Sequence, residues 1–146
     1  HRNRYLWARV GYTHVAKAVG GFRQASENRG VVALYAKAPL PARLWLEARA
    51  RADLRWIGDV YSTRYRLRLE ATRELTVRER PIVPYLNIEG FYDDRLGDWS
   101  KTLGLAGVEV TVDGRLRYEV YLARQVDRLP PEESLNSLGA VLKWYF

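Results

Sequence analysis

The sequence predicts an all-β fold, about eight antiparallel strands in an up-and-down meander closed into a barrel. Residues 43–56 carry that reading: Arg43, Trp45, Glu47, Arg49, Arg51, Asp53 and Arg55 hold one parity, and Leu44, Leu46, Ala48, Ala50, Ala52, Leu54 and Trp56 the other. A two-residue period places charge on one strand face and apolar side chains on the other, whereas a helix would scatter the charges around its circumference. Residues 61–72 repeat the pattern, with Arg64, Arg66, Arg68 and Glu70 opposite Tyr65, Leu67, Leu69 and Ala71. Asp113-Gly114, between two alternating segments, adds a two-residue hairpin signal.

In chain order, residues 5–13 form a first strand with Leu6, Ala8, Val10 and Tyr12 on one face. Residues 14–29, with Gly20, Gly21, Ser26, Glu27 and Asn28, read as a long loop. A second strand spans 31–38, and Pro39-Leu40-Pro41-Ala42 makes a tight connection because proline cannot donate to a central ladder. The strand 43–56 follows, 57–60 turns the chain, 61–72 is a strand and 73–80 a charged connection. Further strands are expected at 82–92, 102–112, 115–125 and 135–146, with loops at 93–98 and 127–134. No segment reads as a helix.

With 146 residues the chain is expected to be one domain, 1–146. It holds no cysteine, which excludes disulfides, thiolate metal sites and cysteine nucleophiles. No methionine is present, so the sequence does not begin at its initiator and an N-terminal piece is expected to precede it. The net charge of +7 raises nucleic acid as a partner. The arginines, however, alternate with leucine and alanine inside strands, and no basic helix or tail is visible, so nucleic acid is set aside. No apolar run reaches the roughly 18 residues of a helical membrane span.

Alternation alone allows two inverse barrels, one with the apolar face inside and one with it outside. Three features favour the second, a transmembrane β-barrel. The first, third, fifth and seventh connections read long, and the second and sixth tight, as extracellular loops and periplasmic turns would be. Aromatics collect at strand ends on the apolar face: Tyr12, Trp56, Tyr65 and Tyr92 toward one rim, Tyr118, Trp144 and Phe146 toward the other. Such girdles suit the two headgroup levels of a bilayer. Trp45, on the charged face, fits neither. Last, Leu142, Trp144 and Phe146 share a face at the chain end. This resembles the C-terminal signal of bacterial outer-membrane proteins that the barrel-assembly machinery recognises.

Arg64-Tyr65-Arg66-Leu67-Arg68-Leu69-Glu70, Pro84-Tyr85-Leu86-Asn87-Ile88-Glu89 and Leu116-Arg117-Tyr118-Glu119, with the closing strand, also resemble a family of Gram-negative outer-membrane barrels, the uncharacterised-domain family numbered 2490. The resemblance covers the C-terminal two thirds and implies location, not activity. Members of that family are longer, which leaves room for N-terminal strands before residue 1.

With the apolar face outward, Arg43, Glu47, Arg49, Arg51, Arg66, Arg68, Glu70, Glu89, Glu109, Arg117 and Glu119 face a charged lumen. Arginine and carboxylate can pair bidentately there, plugging an interior that eight strands leave just wide enough for side chains. The expected protein is an integral outer-membrane barrel with both termini periplasmic, acting as a structural, anchoring or interaction module. Its expected partners are outer-membrane lipid and lipopolysaccharide (through rim arginines such as Arg95), the assembly machinery, and a protein anchored by or threaded through the barrel. An anion-favouring channel is the alternative if the barrel is larger. A lipid-modifying enzyme is the other, and His14 is its only histidine candidate within a strand pattern. No serine lies two positions along from His14, and Ser137 has lumen parity, so no catalytic residue is assigned. Two histidines, one of them terminal, give no metal site, and no cofactor is expected.

Overall fold

The computed structural model describes residues 5–17, 25–128 and 132–146. The alternating segments form nine strands: β1 (Leu6–Lys17), β2 (Ala25–Leu40), β3 (Leu44–Ile57), β4 (Val60–Arg73), β5 (Leu75–Val77), β6 (Arg80–Asp93), β7 (Asp98–Thr111), β8 (Leu116–Asp127) and β9 (Glu133–Trp144). They make one antiparallel sheet in the order β1-β2-β3-β4-β6-β7-β8-β9, with the short β5 pairing β6. The up-and-down meander is therefore as expected, and no helix occurs among the described residues.

Closure is not. Among the described residues β1 pairs only β2 and β9 only β8, so the sheet is open. Its two edges run antiparallel, being the first and eighth strands of a meander. Eight strands enclose just enough room for ordinary side chains. Here the first and eighth strands of the meander are unpaired at their outer edges among the described residues.

The register fixes both faces. Glu47 pairs with Glu70, Arg49 with Arg68, Arg51 with Arg66 and Asp53 with Arg64. Opposite parities pair likewise, Ala48 with Leu69 and Ala50 with Leu67. The charged face is the concave one, because its side chains meet across an intervening strand. Arg49 of β3 reaches Glu89 of β6 at 2.5 Å, and Lys143 of β9 reaches Glu109 of β7 at 2.6 Å. Strands two apart are separated by nearly 10 Å, so such contacts need a sheet that curls toward them.

Burial is inverted relative to a water-soluble fold. Ala33 is the one buried hydrophobic residue among those described, while Glu27, Asp53, Ser62, Thr63, Glu89, Asp93 and Ser100 are buried. Leu67, Leu86, Ile88, Leu122, Leu138 and Leu142 are exposed on the other face. Soluble proteins bury leucine and rarely bury glutamate.

The strands are longer than the sequence suggests at their polar ends. Residues 14–29 are not all loop: β1 continues to Lys17 and β2 begins at Ala25. Ser26, Glu27 and Asn28 are polar because they pair and hydrogen-bond, not because they turn. The connection at 73–80 contains β5, which forms a hairpin with β6 over Arg78 and Glu79 (φ 48° and 65°). The third connection is only Gly58 and Asp59, with Gly58 at φ 58°, so the expected alternation of long and short connections fails there. The Asp113-Gly114 hairpin closes over three residues, since Val112 N–H donates to Leu116 O while Asp113 Oδ1 accepts from the Arg115 and Leu116 N–H groups.

A bulge flips one parity. Phe91 pairs with Lys101 but Tyr92 pairs with Trp99, leaving Ser100 as the extra residue of β7. Trp99 is thereby carried to the apolar face, where its ring covers Gly90. A Cβ at Gly90 would lie 2.7 Å from that ring. Gly90→Ala is expected to displace Trp99 and destabilise the fold by roughly 1–3 kcal/mol through overpacking. A shift in tryptophan emission together with an earlier unfolding midpoint would show it.

Candidate functional site: the charged concave face

β3 and β4 place four arginines in a block, Arg49 opposite Arg68 and Arg51 opposite Arg66. Like charges directly opposite repel, and the surrounding carboxylates offset this. Glu89 accepts from Arg49 Nη2 at 2.5 Å and from Arg66 Nε at 2.7 Å. Glu47 takes Arg68 at 3.0 Å and Asp53 takes Arg51 at 2.6 Å. Arg66 also lies over Phe91, 4.6 Å from the ring centroid. Glu70 accepts from Asn87 at 2.8 Å and lies 3.9 Å from Arg68.

A second cluster lies toward β9. Lys143 sits between Glu109 at 2.6 Å and Glu119 at 2.7 Å, and Arg117 reaches Glu109 at 3.0 Å. Tyr85 O–H donates to Glu119 at 2.5 Å, across β7. That reach is possible because Gly107, between the two, has no side chain. Tyr85 lies over Gly107 and Tyr121 over Gly139 in one lateral row, aromatic rings covering glycines as curved sheets require.

A third cluster closes the end of the sheet where β1, β3, β6 and β8 finish, hereafter the loop end. Glu27 accepts from Arg55 Nε at 2.7 Å and from Arg29 at 2.8 Å, and Asp93 accepts from Arg64 at 2.8 Å and from Arg95 at 3.3 Å. Lys101 pairs with Asp127 at 3.4 Å. Arg49 Nε, Arg68 Nε and Arg55 Nη1 are buried without a hydrogen-bond acceptor among the described residues.

Ten of the eleven residues expected to form the charged network (Glu47, Arg49, Arg51, Arg66, Arg68, Glu70, Glu89, Glu109, Arg117 and Glu119) lie on this face and are paired. Arg43 does not. It stands in the turn before β3 at φ 59°, next to Ala42 at φ 61°, and is exposed. Leu44 N–H donates to Pro41 O across that turn, which ends the strand parity before Arg43. Missed were Asp53, Arg55, Arg64 and Lys143, which strand parity marks, and Glu27 and Arg29, hidden by loop-like neighbours. Trp45, unplaced by sequence, receives Lys37 Nζ at 4.8 Å from its ring centroid.

The apolar face carries aromatics at both ends. Tyr12, Trp56, Tyr65 and Tyr92 lie toward the loop end and are joined by Tyr61 and Trp99. Tyr65 meets Tyr92 at 6.4 Å, Tyr92 meets Trp99 at 5.9 Å and Trp56 meets Tyr61 at 5.2 Å. Tyr118 and Trp144 lie toward the opposite end, both exposed. Leu142 and Trp144 share the outer face of β9, and Phe146 is exposed two residues beyond the last residue of that strand. His14 Nδ1 is 2.8 Å from Asn28 Oδ1, which also accepts from Tyr12 O–H at 2.6 Å. No group of metal-ligating side chains occurs among the described residues. Comparison with family models, curated proteins and solved structures finds no match to this chain.

Proposed function

We propose that this chain forms the wall of a bacterial outer-membrane β-barrel, with both termini periplasmic and the arginine–carboxylate network plugging its lumen. It serves as a structural, anchoring or interaction module. The observation that carries this reading is the inverted burial: glutamate and aspartate inside, leucine and isoleucine outside, between two aromatic belts. The resemblance to the outer-membrane family numbered 2490 belongs to the same proposal. β1 and β9 run antiparallel, so an even number of further strands, such as that family's longer members would supply, completes the ring without a parallel pair. Lipid, lipopolysaccharide, the assembly machinery and a protein held by the barrel are the partners this reading implies. Arg95 already pairs with Asp93, which makes it a weaker lipopolysaccharide contact than its place at the rim suggests.

A second reading has the same further strands enclose a lumen that the network does not fill and that conducts anions along the arginines. Refolding into detergent micelles or vesicles, followed by planar-bilayer recording, separates the two. The plugged barrel is expected to fold only with amphiphile and to carry no steady current. Steady anion-selective steps establish the channel, and a folded monomer in plain buffer removes both. Lipid turnover that disappears in His14→Ala would instead establish an enzyme.

A further inference from the structure

At the loop end the described cations of the concave face have carboxylate partners. Arg29 and Arg55 lie on Glu27, Arg64 and Arg95 on Asp93, and Lys101 on Asp127. Two arginines on the other face have none. Arg124 and Arg128 are exposed and make no ion pair, side-chain hydrogen bond or ring contact among the described residues. Both carry the outward parity of Leu122 and Val126. β8 ends at Asp127, but its ladder runs one residue further, Arg128 N–H donating to Ser100 O at 3.0 Å.

Four residues of strand set the two guanidinium-bearing positions about 13 Å apart. Arg124 is three positions inside the end of β8 and Arg128 one beyond it, so they stand at two heights. Their surroundings are small or polar: Gly104 and Asn136 beside Arg124, Thr102 and Ser134 beside Val126. On β3, β4, β6 and β7 the loop end of the apolar face carries Trp56, Tyr61, Tyr92 and Trp99. On β8 and β9 it carries no aromatic. Further inside, Leu122 and Leu138 are cross-strand partners and both are exposed.

We infer that the outer face of β8 and β9 at the loop end is a lipopolysaccharide site. A lipid A phosphate sits on Arg124, the acidic inner-core sugars on Arg128, and acyl chains cover Leu122 and Leu138. The inference rests on the membrane reading above, which makes the loop end extracellular. A guanidinium's donor fork matches phosphate and carboxylate oxygens alike. A cation at the apolar boundary without a protein partner takes its anion from the lipid. A glycerophospholipid offers anionic charge at one height only, whereas lipopolysaccharide offers it at two, as the two arginines require.

The test uses the full chain refolded into detergent micelles and offered phosphatidylglycerol, bare lipid A, or lipid A bearing its inner-core sugars. Native mass spectrometry counts what each chain retains. The wild type is expected to retain the sugar-bearing form most and phosphatidylglycerol least. Arg124→Gln should lower retention of both lipid A forms roughly fivefold, as loss of one interfacial arginine implies, and Arg124→Lys should keep part of it. Arg128→Gln should remove only the advantage of the sugar-bearing form over bare lipid A. Arg115→Gln, the same loss of charge on the exposed hairpin at the opposite end, should change nothing. Equal retention of all three lipids by the wild type overturns the site and leaves the membrane reading standing. So does retention by Arg124→Gln and Arg128→Gln that matches Arg115→Gln. A chain that folds in plain buffer without micelles overturns both.

Discussion

Leu86→Arg is expected to destabilise the bilayer-embedded chain by about 2–4 kcal/mol, the cost of an arginine on the lipid face near the midplane. Leu86 lies near the middle of β6 and is 64% exposed, so in water the same change would alter stability by no more than about 0.5 kcal/mol. The sign of the experiment therefore depends on the solvent that faces Leu86. Guanidinium titration of the chain in vesicles, followed by tryptophan emission, measures it. Tyr118→Arg, near the opposite end of the wall, should cost only about 0–1 kcal/mol by the same depth dependence. A Leu86→Arg chain as stable as the wild type in vesicles would sink the inside-out arrangement.

Glu89→Ala is expected to cost roughly 3–5 kcal/mol, the range for removing one partner of a buried ion pair. Glu89 is 4% exposed and one of its oxygens accepts from both Arg49 and Arg66. Without it the block of four arginines loses its central counter-charge, and only Glu47 on Arg68 and Asp53 on Arg51 still offset the repulsion within the Arg49–Arg68 and Arg51–Arg66 pairs. Adding Arg49→Leu should recover part of the loss, because one uncompensated cation disappears with it. The same titration on the two single variants and the double variant reads the coupling. Strict additivity would mean that the pair contributes nothing as a pair.

Much of the architecture was legible residue by residue. A strand cannot show two consecutive side chains on one face, so Arg49, Arg51, Arg66 and Arg68 declared their common side before any contact was known. The polar stretch Ser26-Glu27-Asn28 was misread for a related reason. Turn-forming residue types and inward-facing polar residues share one chemistry, and only the partners Arg55 and Arg29 tell them apart. Trp99 was missed because Ser100 adds one residue to β7, and each position before it changes face. Arg43 was assigned inward because the alternation of residue types continues through a turn whose backbone lies outside the strand.

Outside the turns and the Ser100 bulge, the amino-acid order alone determined which side chains share a face and how many long strands there are, since both follow from a local period of two. Tertiary structure decided which arginine meets which carboxylate, that the charged face is concave, and that β1 and β9 stay apart. Those depend on curvature accumulated over eight strands, to which glycines such as Gly107, which lets Tyr85 reach across, contribute. No window of sequence shorter than the whole sheet contains that sum.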